Sequence, residues 1–324
     1  MDIINTNCVC MVCKIMFSDS YDSSVILYPC NHVIHYKCLY KLDNICLICN
    51  KYFKKYYTLN ELKQLYPQKN KLQRLYINLL SVTYFKPENI NYFKVLSNIY
   101  KCIDFIGNLL IQSRCINEYN YEHVYDNFID DLLNACNIRI FIKGKENLIN
   151  TKKVYICNHH FFLDSAILYR IFHTGFVVKK NYSDGFIKEF FKYNPMVYID
   201  RRIKNSGSLN EIKKHIDKYS SICIFPEGTI LNMKTLGKFR TGAFNTGYPV
   251  QPVIMRFSKE IYGLTAVDLV LKLFEGNQID CFVDILPLEE GNFDNNRIED
   301  IRRKMAQEGN FMLSDVGNRY IYEE

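Results

Sequence analysis

Four short apolar runs, each stopped by a polar or charged cluster, constrain this chain more than any other feature. Val154-Tyr155-Ile156-Cys157 leads into Asn158-His159-His160, and Met196-Val197-Tyr198-Ile199 into Asp200-Arg201-Arg202. Ile222-Cys223-Ile224-Phe225 leads into Pro226-Glu227-Gly228-Thr229, and the run from Pro249 to Met255 ends at Arg256. Runs of this length that alternate with helical stretches read as strands of an α/β sheet. The expected fold class is α/β, with a mixed, mostly parallel sheet flanked by helices. In open sheets of this kind ligands bind beyond the carboxyl ends of the strands. Three clusters rich in His, Asp, Arg and Glu at those ends describe one crevice.

The N-terminus shows a different pattern. Of the 13 cysteines, seven fall within the first 49 residues. The first residues, Met1 to Asn7, carry no basic segment followed by an apolar one, so they do not read as a secretory signal. Clustered Cys and His without a signal are metal ligands in a reducing compartment rather than disulfides. The series is Cys10-x2-Cys13, Cys30-x-His32, His35-x2-Cys38 and Cys46-x2-Cys49. Thiolate and imidazole pairs at this spacing suit tetrahedral Zn2+, and eight ligands make two closed sites. So short and polar a segment has little core, and the metal would supply most of its folding energy. Cys8 fits no pair.

This series resembles a RING finger of the two-histidine type, a small cross-brace module. The resemblance implies that Cys10, Cys13, His35 and Cys38 hold one zinc, and that Cys30, His32, Cys46 and Cys49 hold the other. It also implies a ubiquitin-conjugating enzyme as partner, met by Val12 and Leu47. Leu47 stands where a proline is common, and Asn50 where a basic residue often comes after the last ligand.

Residues 51–57 form a basic-aromatic joint, and residues 58–135 read as helical. Thr58 and Glu61 have capping-box spacing. Leu72, Leu75, Tyr76 and Leu79, and later Ile99, Ile103, Ile106 and Leu110, recur at helical period. The expected division is a zinc module over 1–55, a helical linker over 56–95 and an α/β domain over 96–324. A basic amphipathic helix in this region can lie in a membrane interface or cap the sheet. The net charge of +7 suits an anionic partner such as phosphate or a lipid headgroup. Nothing points to nucleic acid. No run of 18 uncharged apolar residues exists, and Lys101 and Asp104 interrupt the nearest candidate, so no transmembrane helix is expected.

Within the α/β region, His159 closes a strand and Asp164 falls in the first turn of the next helix. A carboxylate across such a turn can bind one imidazole nitrogen and fix the tautomer, leaving the other as a general base. Four motifs occur in order: Asn158-His159-x4-Asp164, Tyr198-Ile199-Asp200-Arg201, Phe225-Pro226-Glu227-Gly228-Thr229 and Tyr248-Pro249-Val250-Gln251-Pro252-Val253. Together they resemble the glycerophospholipid acyltransferase family, which includes 1-acylglycerol-3-phosphate acyltransferases. The likeness leans to the lysophosphatidylcholine acyltransferase branch through Phe239-Arg240-Thr241-Gly242-Ala243-Phe244. Arg302-Arg303-Lys304-Met305-Ala306 is also family-like.

The resemblance implies acyl transfer from a thioester, usually acyl-CoA, to the hydroxyl of a lysophospholipid or glycerol phosphate. His159 would take the hydroxyl proton and Asp164 would orient it. Asn158, Arg201, Glu227, Gly228 and Thr229 would bind the acceptor, with Arg201 on its phosphate. Pro195 replaces the glycine that often opens the second motif, and Ile230-Leu231 replaces a frequent Arg-Ser. The location implied is peripheral, at the cytoplasmic face of an intracellular membrane. The alternative is a membrane-associated ubiquitin ligase or adaptor whose acyltransferase-like domain only binds lipid.

Overall fold

The structure, a computed structural model, describes residues 24–28, 33–35, 39, 55–58, 90–161, 163–179, 193, 196–199, 207–259 and 271–315. Near the N-terminus, β1 (Ser24–Tyr28) pairs antiparallel with β2 (Val33–His35) and with β3 (Lys55–Thr58). Val25 and Leu27 alternate along β1 and are fully buried. Thr58 therefore ends a strand, opposite Val25, instead of capping a helix. Lys55-Tyr56-Tyr57-Thr58 is rich in aromatic and β-branched side chains, and pairing with β1 overrides the local capping signature. This small sheet also extends past residue 55, the expected end of the module. Of the expected zinc ligands only His35 lies in a described element, β2. Cys10, Cys13, Cys30, His32, Cys38, Cys46 and Cys49 fall outside the described residues, as do Val12, Leu47 and Asn50.

The helical stretch resolves into α1 (Tyr92–Ser97), α2 (Ile99–Cys115) and α3 (Tyr121–Ala135). The expected boundary at 96 falls inside α1. Asn91 caps α1 by accepting from Lys94 N at 3.1 Å, and its own N–H donates to Glu275 Oε1 at 2.7 Å. Asn98, between the two helices, donates to Glu275 O at 3.1 Å. Gly276 has φ +70°, and a Cβ there would lie 2.6 Å from Asn98 Nδ2, so only glycine lets the joint seat this closely. One side of α2 meets α3: Phe105 and Phe128 stand 5.5 Å apart, and Asn108 and Gln112 both donate to Asp131 Oδ2. The opposite side carries Ile99, Ile103, Ile106 and Leu110, all exposed. No described helix is long and apolar enough to cross a membrane.

The rest is a three-layer α/β/α arrangement. Its seven-stranded sheet contains β4 (Ile138–Lys143), β5 (Lys153–Cys157), β6 (Gly175–Lys179), β7 (Met196–Ile199), β8 (Ser221–Ile224), β10 (Val250–Phe257) and β11 (Ile279–Ile285). The order is β4-β11-β10-β5-β8-β6-β7. Every pairing is parallel except β10 with β11. The mostly parallel sheet expected from the alternating runs is thus present. All four of those runs are strands.

β5 is buried along its whole length, and its side chains alternate between two cores. Tyr155 and Cys157 join Cys223, Val253 and Met255 against α3 and α4 (Asp164–Phe172), with Ile129, Leu133, Ile167 and Leu168 at the centre. Val154 and Ile156 join Ile222 and Ile254 against α5 (Ser208–Tyr219) and α6 (Asn295–Gly309), which contribute Ile212, Ile216, Ile301 and Met305. A two-residue parallel pair, β9 (Thr235–Leu236) with β12 (Met312–Leu313), lies apart from the main sheet. Both cores leave the carboxyl ends of β5, β6, β7, β8 and β10 along one edge.

Candidate active site

β5 and β8 are parallel neighbours with Ile156 beside Ile224. The same number of residues further along each chain, His159 comes level with Glu227. The register thus brings two motifs together that lie far apart in sequence.

His159 is restrained at several points. Its Nδ1 lies 3.0 Å from Asp164 Oδ2. Its main-chain N–H donates to Glu227 Oε1 at 2.8 Å, and its carbonyl accepts from Leu231 N at 2.9 Å. The ring stacks on Phe225, with centroids 4.0 Å apart and planes 12° from parallel. Asp164 is an acceptor only, so Nδ1 carries the proton and Nε2 offers a lone pair. The His159 side chain retains 20% exposure, whereas Asp164 retains none.

The location of Asp164 is set by the local chain path. It opens α4, where the helix dipole favours a negative charge. Its Oδ2 also accepts from His160 N at 2.8 Å and Phe161 N at 2.9 Å, so the carboxylate organises the turn between β5 and α4. Glu227 is fully buried, and its second oxygen accepts from Gly237 N at 2.6 Å. Burial pushes its carboxyl up to about 8, while the two N–H donors pull in the opposite direction. Both Glu227 oxygens are thus bound to main chain, which lets the carboxylate shape the pocket by holding the backbone of His159 and Gly237.

Asn158, also expected to bind substrate, is fully buried. Its Nδ2 donates to Met255 O and its Oδ1 accepts from Met255 N, both at 2.9 Å, so it extends the β5–β10 pairing by one rung. Gly228 and Thr229 are half-buried beside Glu227. Gly228 has φ +71° and donates its N–H to Phe225 O at 3.0 Å, closing a tight turn that glycine accommodates without strain. Arg201 falls outside the described residues, although β7 ends just before it, at Ile199 on the same edge.

The neighbouring side chains are structural. His160 Nε2 binds Thr235 O at 2.8 Å and Nδ1 meets Asn158 Nδ2 at 3.1 Å. Burial is the main cause that lowers the His160 imidazole to about 4, so it stays neutral. Cys157, Cys223 and Cys281 are buried, and burial pushes each thiol up, which removes them as thiolate nucleophiles. Among the described residues no group of His, Cys, Asp or Glu could hold a metal ion. The sequence reading missed Phe225 as the stacking partner and Gly237 as the second donor to Glu227. Phe225 was visible as the residue before the Pro-Glu-Gly turn, but a main-chain donor such as Gly237 leaves no side-chain signature.

The arrangement is a histidine base oriented by a buried carboxylate and partly exposed to solvent, and among the described residues no thiolate beside it could serve instead. It can take a proton from a hydroxyl while that oxygen attacks an electrophilic carbon.

Residues 139–256, which include His159, Asp164, Phe225, Glu227 and Gly237, match the family model described as Acyltransferase. A lysophospholipid acyltransferase of Arabidopsis thaliana, LPEAT1, is 31% identical over 185 residues, covering 50% of this chain and 46% of that protein. A probable 1-acyl-sn-glycerol-3-phosphate acyltransferase of Mycoplasma pneumoniae is 25% identical over 170 residues, covering 45% of this chain and 64% of that protein. In both cases the chain spans less than two thirds of the relative's length. The crystal structure of the 1-acyl-sn-glycerophosphate acyltransferase PlsC from Thermotoga maritima aligns with a TM-score of 0.47 and 16% identity, covering 68% of this chain and 95% of that one.

Proposed function

We propose that this protein transfers an acyl group from a thioester, acyl-CoA, to the hydroxyl of a lysophospholipid or glycerol phosphate. The observation that carries the reading is the 3.0 Å contact from His159 Nδ1 to Asp164, which favours the tautomer that leaves the Nε2 lone pair for a substrate proton. The acyltransferase match over residues 139–256 and the names of the relatives supply the substrate class. In the proposed reaction Nε2 removes the hydroxyl proton as the oxygen attacks the thioester carbonyl carbon. The tetrahedral intermediate then collapses, the C–S bond breaks, and the leaving thiolate takes the proton from the imidazolium. No covalent acyl-enzyme is formed. Arg201 grips the acceptor's phosphate, a task its planar fork suits.

The test is thiol release from acyl-CoA across a panel of lysophospholipids and glycerol phosphate, with product identified by mass. Acceptor-dependent release of free thiol is expected. A chain that consumes no acyl-CoA with any acceptor does not have this function. The ubiquitin-ligase alternative has no observation of comparable weight, since the residues it needs lie outside the described set.

A lysophospholipid acceptor resides in a bilayer, and the exposed side of α2 supports delivery from there. Ile99, Ile103, Ile106 and Leu110 recur every three or four residues, and each is about half exposed or more. With its other side held by α3, this face is positioned to lie in a membrane interface. Ile103→Asp with Ile106→Asp is expected to abolish co-sedimentation with phospholipid vesicles while leaving thermal unfolding within a few degrees of wild type. Unchanged vesicle binding would move the membrane contact elsewhere.

For the N-terminal segment we propose a zinc module of the RING type. Six thiols and two imidazoles in paired spacing are a donor set that fits Zn2+. Metal analysis of the purified chain is expected to give two zinc ions per molecule. Chelation unfolds the N-terminal segment before the α/β domain, because no expected ligand lies beyond Cys49. One zinc per chain, or none, rejects the eight-ligand assignment.

A further inference from the structure

We propose that Arg302 is a positioning residue for His159, acting from α6 through Gly237 and Glu227; this rests on the acyl-transfer reading above. Arg302 is buried, with 5% exposure. A buried guanidinium is costly unless its donors are used. Here Nε and Nη2 form a fork on the Glu299 carboxylate, at 2.8 and 2.7 Å. Nη1 donates to Leu236 O at 3.2 Å, Gly237 O at 3.4 Å and Ser314 O at 3.0 Å. Packing alone does not require this arginine, since Ile298, Ile301 and Met305 already fasten α6 to the sheet. What Arg302 adds is a hold on β9, a strand only two residues long.

The hold matters because β9 runs directly into Gly237. The Gly237 N–H is one of two donors to Glu227, and the other is the N–H of His159. A continuous line of contacts thus runs from Glu299 to Arg302, to the Leu236–Gly237 carbonyls, across one peptide to Glu227, and on to the backbone of the base. Deleting the guanidinium frees Gly237, loosens one oxygen of Glu227, and lets His159 shift on Phe225.

Charge acts along the same line. The groups that bear on Glu227 are Arg302 from α6, Asp164 from α4, and Cys157 and His159 at the end of β5. Ionised Glu227 accepts from both N–H groups at full strength, whereas protonation turns one oxygen into a hydroxyl and weakens the contact that oxygen accepts. Burial and Asp164 favour the protonated form, and Arg302 opposes them. Loss of the Arg302 charge therefore extends protonation of Glu227 to higher pH, and the acid limb of turnover moves upward with it.

The test compares full-length Arg302→Met, Arg302→Lys and Glu299→Gln with wild type. Arg302→Met is expected to lower kcat about 10- to 100-fold, the scale of a small misplacement of a reacting group, with acceptor KM unchanged. Its acid limb moves to higher pH, while Arg302→Lys, which keeps the charge, retains the wild-type limb. If Arg302→Met only unfolds more readily, with kcat per folded molecule and pH profile unchanged, the proposal is overturned. If it does not fold, Glu299→Gln decides, because this half-buried change removes one arm of the fork without opening a cavity. It is expected to lower kcat at unchanged KM, and wild-type kcat would overturn the proposal. A second readout needs no substrate: the downfield imidazole N–H resonance of His159, assigned by its loss in His159→Ala. It is expected to broaden in Arg302→Met and Glu299→Gln and to persist in Arg302→Lys. Should wild type turn over no acceptor, the acyl-transfer reading falls, while this resonance still decides the role of Arg302.

Discussion

His159→Ala is expected to lower turnover by about 10²-fold or more, the lower range for losing a general base. The fold is expected to survive, because the groups that hold this position act on the main chain. Glu227 takes the N–H of residue 159 and Leu231 binds its carbonyl, and alanine keeps both. The lost stacking on Phe225 involves a ring that is already partly open to solvent. Steady-state thiol release and a thermal melt on the same preparation separate the two effects. Wild-type turnover in His159→Ala would sink the mechanism, because among the described residues no second base stands ready. The adjacent His160 spends both ring nitrogens on Thr235 and Asn158.

Asp164→Asn tests the other half of the pair and is expected to affect both rate and stability. One Asp164 oxygen, Oδ2, accepts from His159, His160 and Phe161, whereas Oδ1 is buried with no partner among the described residues. An asparagine that keeps its oxygen at the Oδ2 position preserves all three contacts. Its NH2 then occupies the buried Oδ1 position, which has no acceptor among the described residues, at a cost of about 1–3 kcal/mol. The flipped amide sets donors against three N–H groups and is worse. Either way the negative charge that steadies the imidazolium is lost, and kcat is expected to fall about 10²- to 10⁴-fold, the range for an acid–base group. A variant with a lowered melting temperature and wild-type kcat would reduce Asp164 to a turn-forming residue.

Much of this site was legible because its signals are local. The runs before Asn158, Asp200 and Pro226 are strands, and the step from His159 to Asp164 is a strand-to-helix turn whatever surrounds it. What the sequence hid was non-local. Strand order places β5 beside β8, and one register out of many sets His159 level with Glu227. β6 and β11 went unmarked because neither ends in a chemically distinctive cluster. Asn158 shows the limit in one residue: an amide at a strand end reads as a ligand contact, yet this one completes the pairing with Met255. Thr58 shows it in another, where a capping signature lost to a strand partner far away in sequence.

The restraints on His159 all come from within the domain. Asp164, Glu227, Leu231 and Phe225 grip it from behind or from the sides, and none of them needs the acceptor in order to stay in place. The proposed base and its carboxylate are thereby insulated from whatever occupies the mouth of the crevice. If the proposed acyl transfer holds, residues facing the acceptor can drift over generations, exchanging one acceptor for another, without first having to rebuild the base. Under the proposed function, a change of acceptor would lie close at hand, and a laboratory library aimed at Thr229 and Ile230 would begin from the same advantage.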